Sequence, residues 1–553
     1  MTKTMNLLQK LEMKFKGVTL NLLLLFLIIT FSSQASVKFE DTEYHRKSYT
    51  LKLNKNGSFV NNDTLLTQQL EGKWTVKNKT LTLISNGDTS QITTSYPILY
   101  SSDNKVVFSK SGKRFAYHDK ISSEGTGITF MSILRGVFGL GMLFFMGYFF
   151  SKSRKDINWG LVVRGTILQV ALAIIILKVP FVSSIFDWLS KAFTKLINFS
   201  HDGANFLFRS LGTEQIDPML MNFMTWILPS IIFFAAISSL LYYFGILQWI
   251  VKRLAWVMNK TLGISGAESI SAAANIFIGQ TEAPLLVKPY LQRMTKSEIM
   301  CLMVGGMATI AGGVLAAVIG ILGGGDELKE LFYAKHLLTA SFMSAPAAIV
   351  FAKMLVPETE EIDKNLEVPK EKIGANALEA ITNGTTEGLK LAANVGAMLL
   401  VFMSLIALVN YTLGKVGDWT SLNDLIASGG MYTQLSFESI AGYILAPVSW
   451  VMGVEWQDCM YFGQLLGEKT ILNEFIAYPH LGVIQDELSQ KTVIMSTYVL
   501  CGFANVASIG IQVGGIGILV PEKRSLLAKY GVTALIGGTL ACMSTAVLAG
   551  MLF

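Results

Sequence analysis

The sequence predicts an all-α polytopic membrane protein with a small all-β domain at its N-terminus, and three observations carry that prediction. Of 553 residues only 15% are charged while 51% are hydrophobic, and mean hydropathy is +0.47; a water-facing domain carries about 25% charged residues. The charge is uneven: residues 37–120 are polar, and most of the chain after them consists of apolar runs separated by short charged patches. Two moderately apolar segments, 267–290 and 461–481, are interrupted by Gly, Pro or acidic residues. Such breaks are tolerated at membrane depth only where protein or a water-filled cavity surrounds them. The pattern fits inverted repeats with two re-entrant hairpins and about eight spans.

The chain divides into four regions. Residues 1–35 read as a signal peptide: Lys10, Lys14 and Lys16 precede an apolar run at 18–31, and Ser33-Gln34-Ala35 supplies a small-x-small site. An uncleaved anchor is the competing reading. Residues 36–122 read as an extracytoplasmic β-rich domain, because Tyr49, Leu51 and Leu53 alternate with polar residues before the turn pair Asn56-Gly57. His45 and His118 stand isolated in sequence and read as surface residues. Residues 128–260 read as scaffold spans with an interfacial helix, and 261–553 as a transport core containing two hairpin-plus-span repeats.

The first span is 130–150, and Lys152, Arg154 and Lys155 come directly after it, which makes the next loop cytoplasmic by the positive-inside rule. A return span is expected at 161–179. In 181–199, Ile185, Leu189, Ala192 and Leu196 share a helical face, with Phe186, Phe193 and Ile197 beside them, so this segment reads as interfacial. Further spans are expected at 223–251, 300–322, 337–356, 391–413, 493–519 and 532–553, with 357–372 cytoplasmic and both termini outside. The net charge of +6 is absorbed by these topology signals and requires no nucleic acid. The four cysteines lie in or near apolar segments, form no CxxC or Cys/His cluster, and read as buried thiols.

Each broken segment brings one carboxylate to membrane depth: Glu282 in Asn275-Ile276-Phe277-Ile278-Gly279-Gln280-Thr281-Glu282-Ala283-Pro284, and Glu474 in Leu472-Asn473-Glu474-Phe475-Ile476-Ala477-Tyr478. An acidic group there costs about 2.5–3.5 kcal/mol on insertion scales, which makes both functional candidates. Solvation at a hairpin mouth is the bland reading of each. The span after each hairpin carries Gly-x-Ala-polar-apolar-Ala, as Gly306 to Ala311 and Gly502 to Ala507, so Thr309 corresponds to Asn505. Tight helix packing explains the Gly and Ala. It leaves Thr309, Asn505 and Ser508 unexplained.

These strings resemble the concentrative nucleoside transporters. Gly279-Gln280-Thr281-Glu282-Ala283-Pro284-Leu285 is similar to that family's first-hairpin motif, and Asn473 to Tyr478 to its second. Cys501-Gly502-Phe503-Ala504-Asn505 through Gly510, Gly306 to Gly312, and Met343-Ser344-Ala345-Pro346-Ala347 resemble further family motifs, over about residue 130 to the C-terminus. The resemblance implies a nucleoside substrate within a lipid bilayer, and a homotrimer with one pathway per protomer. It implies nucleobase contacts from Gln280, Thr281, Glu282 and Phe503, and ribose contacts from Glu474, Asn505 and Ser508. It implies a sodium site at Asn275, Ile278, Thr309 and Ile310, with Thr309 standing where the family has Ser and keeping the hydroxyl.

The function expected is therefore a cation-coupled, sodium-driven nucleoside importer working by alternating access in a bacterial cytoplasmic (inner) membrane. A proton-coupled symporter is the runner-up, since some family members use protons. A channel, an intramembrane hydrolase and a receptor are remoter. The hydrolase lacks a nucleophile–His arrangement, because His201, His336 and His480 are scattered. No enzyme activity is expected.

Overall fold

The computed structural model describes eight strands between residues 42 and 118, and residues 128–208, 228–280, 282–324, 326–363, 375–428 and 432–553. The expected signal peptide, the Asn56-Gly57 turn and Thr281 lie outside the described residues.

The β-domain is a closed antiparallel barrel in which each strand pairs with the next: β1 (Thr42–Arg46), β2 (Tyr49–Leu53), β3 (Ser58–Asn61), β4 (Glu71–Lys77), β5 (Thr80–Asn86), β6 (Gln91–Ser102), β7 (Lys105–Lys110) and β8 (Lys113–His118). The alternation read from sequence is realised, with Leu51, Leu53, Leu81 and Leu83 buried and Lys52 exposed. The two histidines are not isolated in space. His45 and His118 are far apart in sequence but are register partners where β1 meets β8 and closes the barrel. Strand closure, which no local pattern encodes, makes them neighbours.

Eighteen α-helices come after the barrel among the described residues: α1 (Phe130–Phe149), α2 (Trp159–Lys178), α3 (Pro180–Phe208), α4 (Leu228–Tyr243), α5 (Ile246–Leu262), α6 (Gly266–Ala274), α7 (Ala283–Leu286), α8 (Lys296–Ala308), α9 (Gly312–Gly323), α10 (Glu327–Leu355), α11 (Ala377–Thr420), α12 (Leu422–Ser428), α13 (Phe437–Val451), α14 (Cys459–Ile471), α15 (Glu474–Ile484), α16 (Gln490–Leu500), α17 (Val506–Leu519) and α18 (Arg524–Leu552). The chain forms two compact units. One comprises residues 1–125, 406–447 and 484–489, and the other comprises 126–405, 448–483 and 490–553. The functional residues named from sequence all fall in the second.

Five described stretches are long and apolar enough to cross a membrane: α1, α2, α8 with α9, α10, and the stretch containing α18. The bent pair α4–α5 makes a sixth if it counts as one span. In α10 94% of the apolar window is buried, against 28% in α1, so α10 is a central helix and α1 a peripheral one. All four cysteines are buried free thiols, as expected.

Three expected continuous spans are interrupted. From Leu228 on, the run expected at 223–251 is two helices, α4 and α5, meeting at 78°. Its second part is amphipathic: Leu247, Val251, Ala255, Met258 and Leu262 are buried at helical spacing, while Lys252 and Arg253 are exposed. The 300–322 run breaks at Thr309–Ala311, and 493–519 breaks between Leu500 and Val506. These residues are apolar enough to hide the breaks from hydropathy, and backbone groups released there find partners in other elements. The packed stripe of α3 is also rotated. Phe186, Ser190, Thr194 and Ile197 are buried and Ile185 is exposed, because Phe186 packs edge-on to Phe342 and Phe193 stacks on Phe234.

Candidate functional site

The first hairpin begins with a capping box, in which Glu268 N–H donates to Ser265 Oγ (3.2 Å) and Ser265 N–H to Glu268 Oε2 (3.0 Å). Helix α6 is buried at every residue and ends at Asn275. Phe277 and Ile278 N–H both reach back to Ala274 O, and Gly279 O then receives Glu282 and Ala283 N–H to start the short α7. Asn275 is 1% exposed, and its Oδ1 has no hydrogen-bond partner among the described residues. Gln280 is buried. Glu282 is exposed, which corrects the expectation of a buried carboxylate there.

The break between α8 and α9 lies against this hairpin: Gly312 N–H donates to Phe277 O at 3.1 Å. Thr309 is extended and buried, and its Oγ1 donates to Gly305 O at 2.9 Å. The oxygens of Asn275, Ile278, Thr309 and Ile310 therefore belong to two interruptions stitched by one backbone bond. Among the described residues no group of three His, Cys, Asp or Glu stands ready for a metal. Amide, hydroxyl and carbonyl oxygens are the donors at this corner, and oxygen donors suit a hard cation.

In the second hairpin α14 ends at Ile471 and α15 starts on Glu474, which is 2% exposed. Its Oε2 accepts from Asn505 Nδ2 at 3.0 Å. Asn505 is also the N-cap of α17, with Oδ1 accepting from Ser508 N–H at 2.9 Å. Gly502 shapes this break with φ 147°, and a Cβ there would stand 2.8 Å from Ala308 O and from Cys542 Sγ. Phe503 N–H donates to Thr309 O at 3.2 Å, so the interruptions of the two repeats are joined main chain to main chain.

The two halves also meet through side chains. Gln280 Nε2 donates to Ser508 Oγ at 3.1 Å, and Gln280 Oε1 accepts from Gln512 Nε2 at 3.0 Å. Sequence reading missed Gln512, although a Gln at Ser508 plus four inside an apolar helix is a legible signal. It also missed Lys353, whose Nζ lies 2.5 Å from Glu268 and 3.1 Å from Glu358 and bonds Ser297 Oγ at 3.0 Å. That cluster anchors the base of the first hairpin to the ends of α8 and α10. The structure thus brings Asn275, Ile278, Gln280, Thr309, Ile310, Glu474, Phe503, Asn505 and Ser508 into one connected region, while Glu282 sits on its exposed side.

Interrupted helices whose broken ends converge on buried polar groups define a secondary membrane transporter. Family models described as "Na+ dependent nucleoside transporter" match at residues 138–211 (N-terminus) and 336–550 (C-terminus), and one described as "Nucleoside recognition" matches at 224–325. The chain belongs to the Na+-dependent, or concentrative, nucleoside transporter family. It is 39% identical over 430 residues to the nucleoside permease NupC of Helicobacter pylori, covering 76% of this chain and 98% of that protein. It is 40% identical to rat solute carrier family 28 member 3 over 75% of this chain and 58% of the rat protein. A solved structure of CNTnw in an inward-facing substrate-bound state superposes with TM-score 0.69 at 36% identity, covering 76% of this chain and 98% of that one. The protein is a membrane transporter and not an enzyme.

Proposed function

We propose that the protein is a sodium-coupled nucleoside importer that works by alternating access in a bacterial inner membrane. The observation that carries this reading is the continuous path from Gln280 in the first hairpin through Ser508 and Asn505 to Glu474 beside the second. Gln280, Thr281, Glu282 and Phe503 are assigned to the nucleobase, and Glu474, Asn505 and Ser508 to the ribose. A ribose offers hydroxyl donors that a carboxylate and an amide oxygen accept, and a base edge mixing donors with acceptors suits Gln and Thr. Sodium is assigned to Asn275 and Thr309 with the carbonyls of Ile278 and Ile310. Asn275 Oδ1, buried and without a hydrogen-bond partner among the described residues, supports this assignment, since a cation supplies what it lacks. The reading includes about eight spans with both termini outside, residues 128–260 as scaffold and 261–553 as transport core, and a homotrimer.

One monovalent cation crossing ~100 mV releases about 2.3 kcal/mol, and a tenfold cation gradient adds about 1.4 kcal/mol. With one-to-one coupling the two sustain roughly a 500-fold nucleoside gradient. Cation and solute then strengthen each other's binding reciprocally. The test is uridine uptake into proteoliposomes with sodium and proton gradients imposed separately. Accumulation should follow sodium. Uptake indifferent to replacing sodium by choline, yet driven by a proton gradient, makes the protein a proton symporter instead.

A further inference from the structure

We infer that Gln512 is a positioning residue that fixes which end of the Gln280 amide faces the solute, and that it thereby sets selectivity for bases presenting a carbonyl. This rests on the proposed contact between Gln280 and the nucleobase and deepens it.

The orientation is set at a backbone carbonyl. Gln512 Nε2 donates to Met303 O at 3.0 Å and to Gln280 Oε1 at 3.0 Å. A backbone carbonyl only accepts, so the end of Gln512 that faces Met303 must be its nitrogen. That NH₂ group has two protons, and its second points at Gln280. The group of Gln280 receiving it must therefore be the oxygen, which turns the Gln280 nitrogen to the opposite side, where it donates to Ser508 Oγ at 3.1 Å. The sense of both amides is dictated by an immovable acceptor, whichever end of each amide is labelled nitrogen. Two consequences reach the solute. Gln280 keeps one uncommitted N–H among the described residues, and Ser508, having accepted, keeps its hydroxyl proton to donate.

Two further observations support a built device over incidental packing. Gln512 Oε1 is buried and unpaired among the described residues. An unpaired buried carbonyl is costly, so a polar side chain held at 1% exposure is there for its donors. Space for it also depends on one residue of another helix: a Cβ at Gly306 would stand 2.7 Å from Gln512 Nε2 and 2.8 Å from Gln280 Cβ. Ser508 and Gln512 lie one helical turn apart on α17, both buried, so Gln280 is held at two points of one rigid element.

An N–H directed at the C4 edge of a pyrimidine favours uridine, which accepts there through a carbonyl, over cytidine, which carries an amine there. In proteoliposomes the wild type should take uridine with the lower KM. Gln512→Leu releases Gln280 to turn over, and the uridine-to-cytidine ratio of kcat/KM should fall roughly tenfold, chiefly through KM. Gly306→Ala should move the same ratio in the same direction by crowding Gln512 and Gln280 together from another helix. Gln512→Met serves where the Leu variant does not reach the membrane. A purely structural role lowers both substrates in parallel and keeps the ratio, and that result overturns the inference. So does a wild type that prefers cytidine. Gln280→Ala separates the two levels. If it shifts the ratio while the Gln512 variants do not, only the positioning role fails. If neither shifts it, the base contact itself fails with it.

Discussion

The two hairpins are the same construction carried to different degrees of completion. The second is the more fully bonded internally. Its carboxylate Glu474 is buried and bonded to Asn505, Lys469 Nζ donates to Val499 O at 2.8 Å, Tyr478 OH donates to Thr497 O at 3.1 Å, and His480 Nδ1 lies 2.8 Å from Glu468 Oε1. The first has a four-residue returning helix and an exposed Glu282. Each hairpin retains one buried Asn oxygen without a partner among the described residues, at Asn275 and Asn473. The difference teaches that one arm of the site is preorganised by the protein, while the other leaves more for its ligands to complete.

The contrast can be broken by mutation. The largest effect is expected from Glu474→Ala, which removes the buried acceptor of the Asn505 amide. Loss of a charge-assisted bond together with an orphaned donor costs about 3 kcal/mol, so uridine kcat/KM should fall roughly 100-fold with protein still in the membrane. Glu282→Gln, at an exposed position, should cost about tenfold. Equal losses would erase the proposed asymmetry. Next, Asn275→Ala should raise the sodium concentration for half-maximal uptake about tenfold and leave uridine KM at saturating sodium nearly unchanged. An unchanged sodium curve would remove Asn275 from the cation site. The smallest effect belongs to His480→Ala. Its partner Glu468 keeps the bond from Gln464 Nε2 at 2.9 Å, so about 1 kcal/mol of stability should be lost, read as a small drop in Tm with little change in uptake.

Much of this architecture was legible in sequence. The hairpins declared themselves because Gln280, Glu282 and Glu474 are too polar for the apolar stretches around them, and the repeat showed in matched Gly-x-Ala strings. Hydropathy did not reveal the breaks at Thr309–Ala311 and Cys501–Asn505. Gly, Ala and Ile keep the window apolar, and the break is stabilised by partners distant in sequence, Phe277 O for Gly312 and Thr309 O for Phe503. The same holds for His45 beside His118, which meet only because the barrel closes. It holds also for Lys353, an end-of-helix cation by pattern and a buried partner of Glu268 in the fold. Local composition announces polarity at depth; who answers it is decided by tertiary register.

The bond from Phe503 N–H to Thr309 O ties the two repeats together through peptide groups alone. Ordinary side-chain replacement leaves it standing, and only proline at 503 deletes the donor outright. In the proposed arrangement, with sodium beside Thr309 and the solute beside Phe503, the link between ion and cargo at this point therefore depends on no side chain.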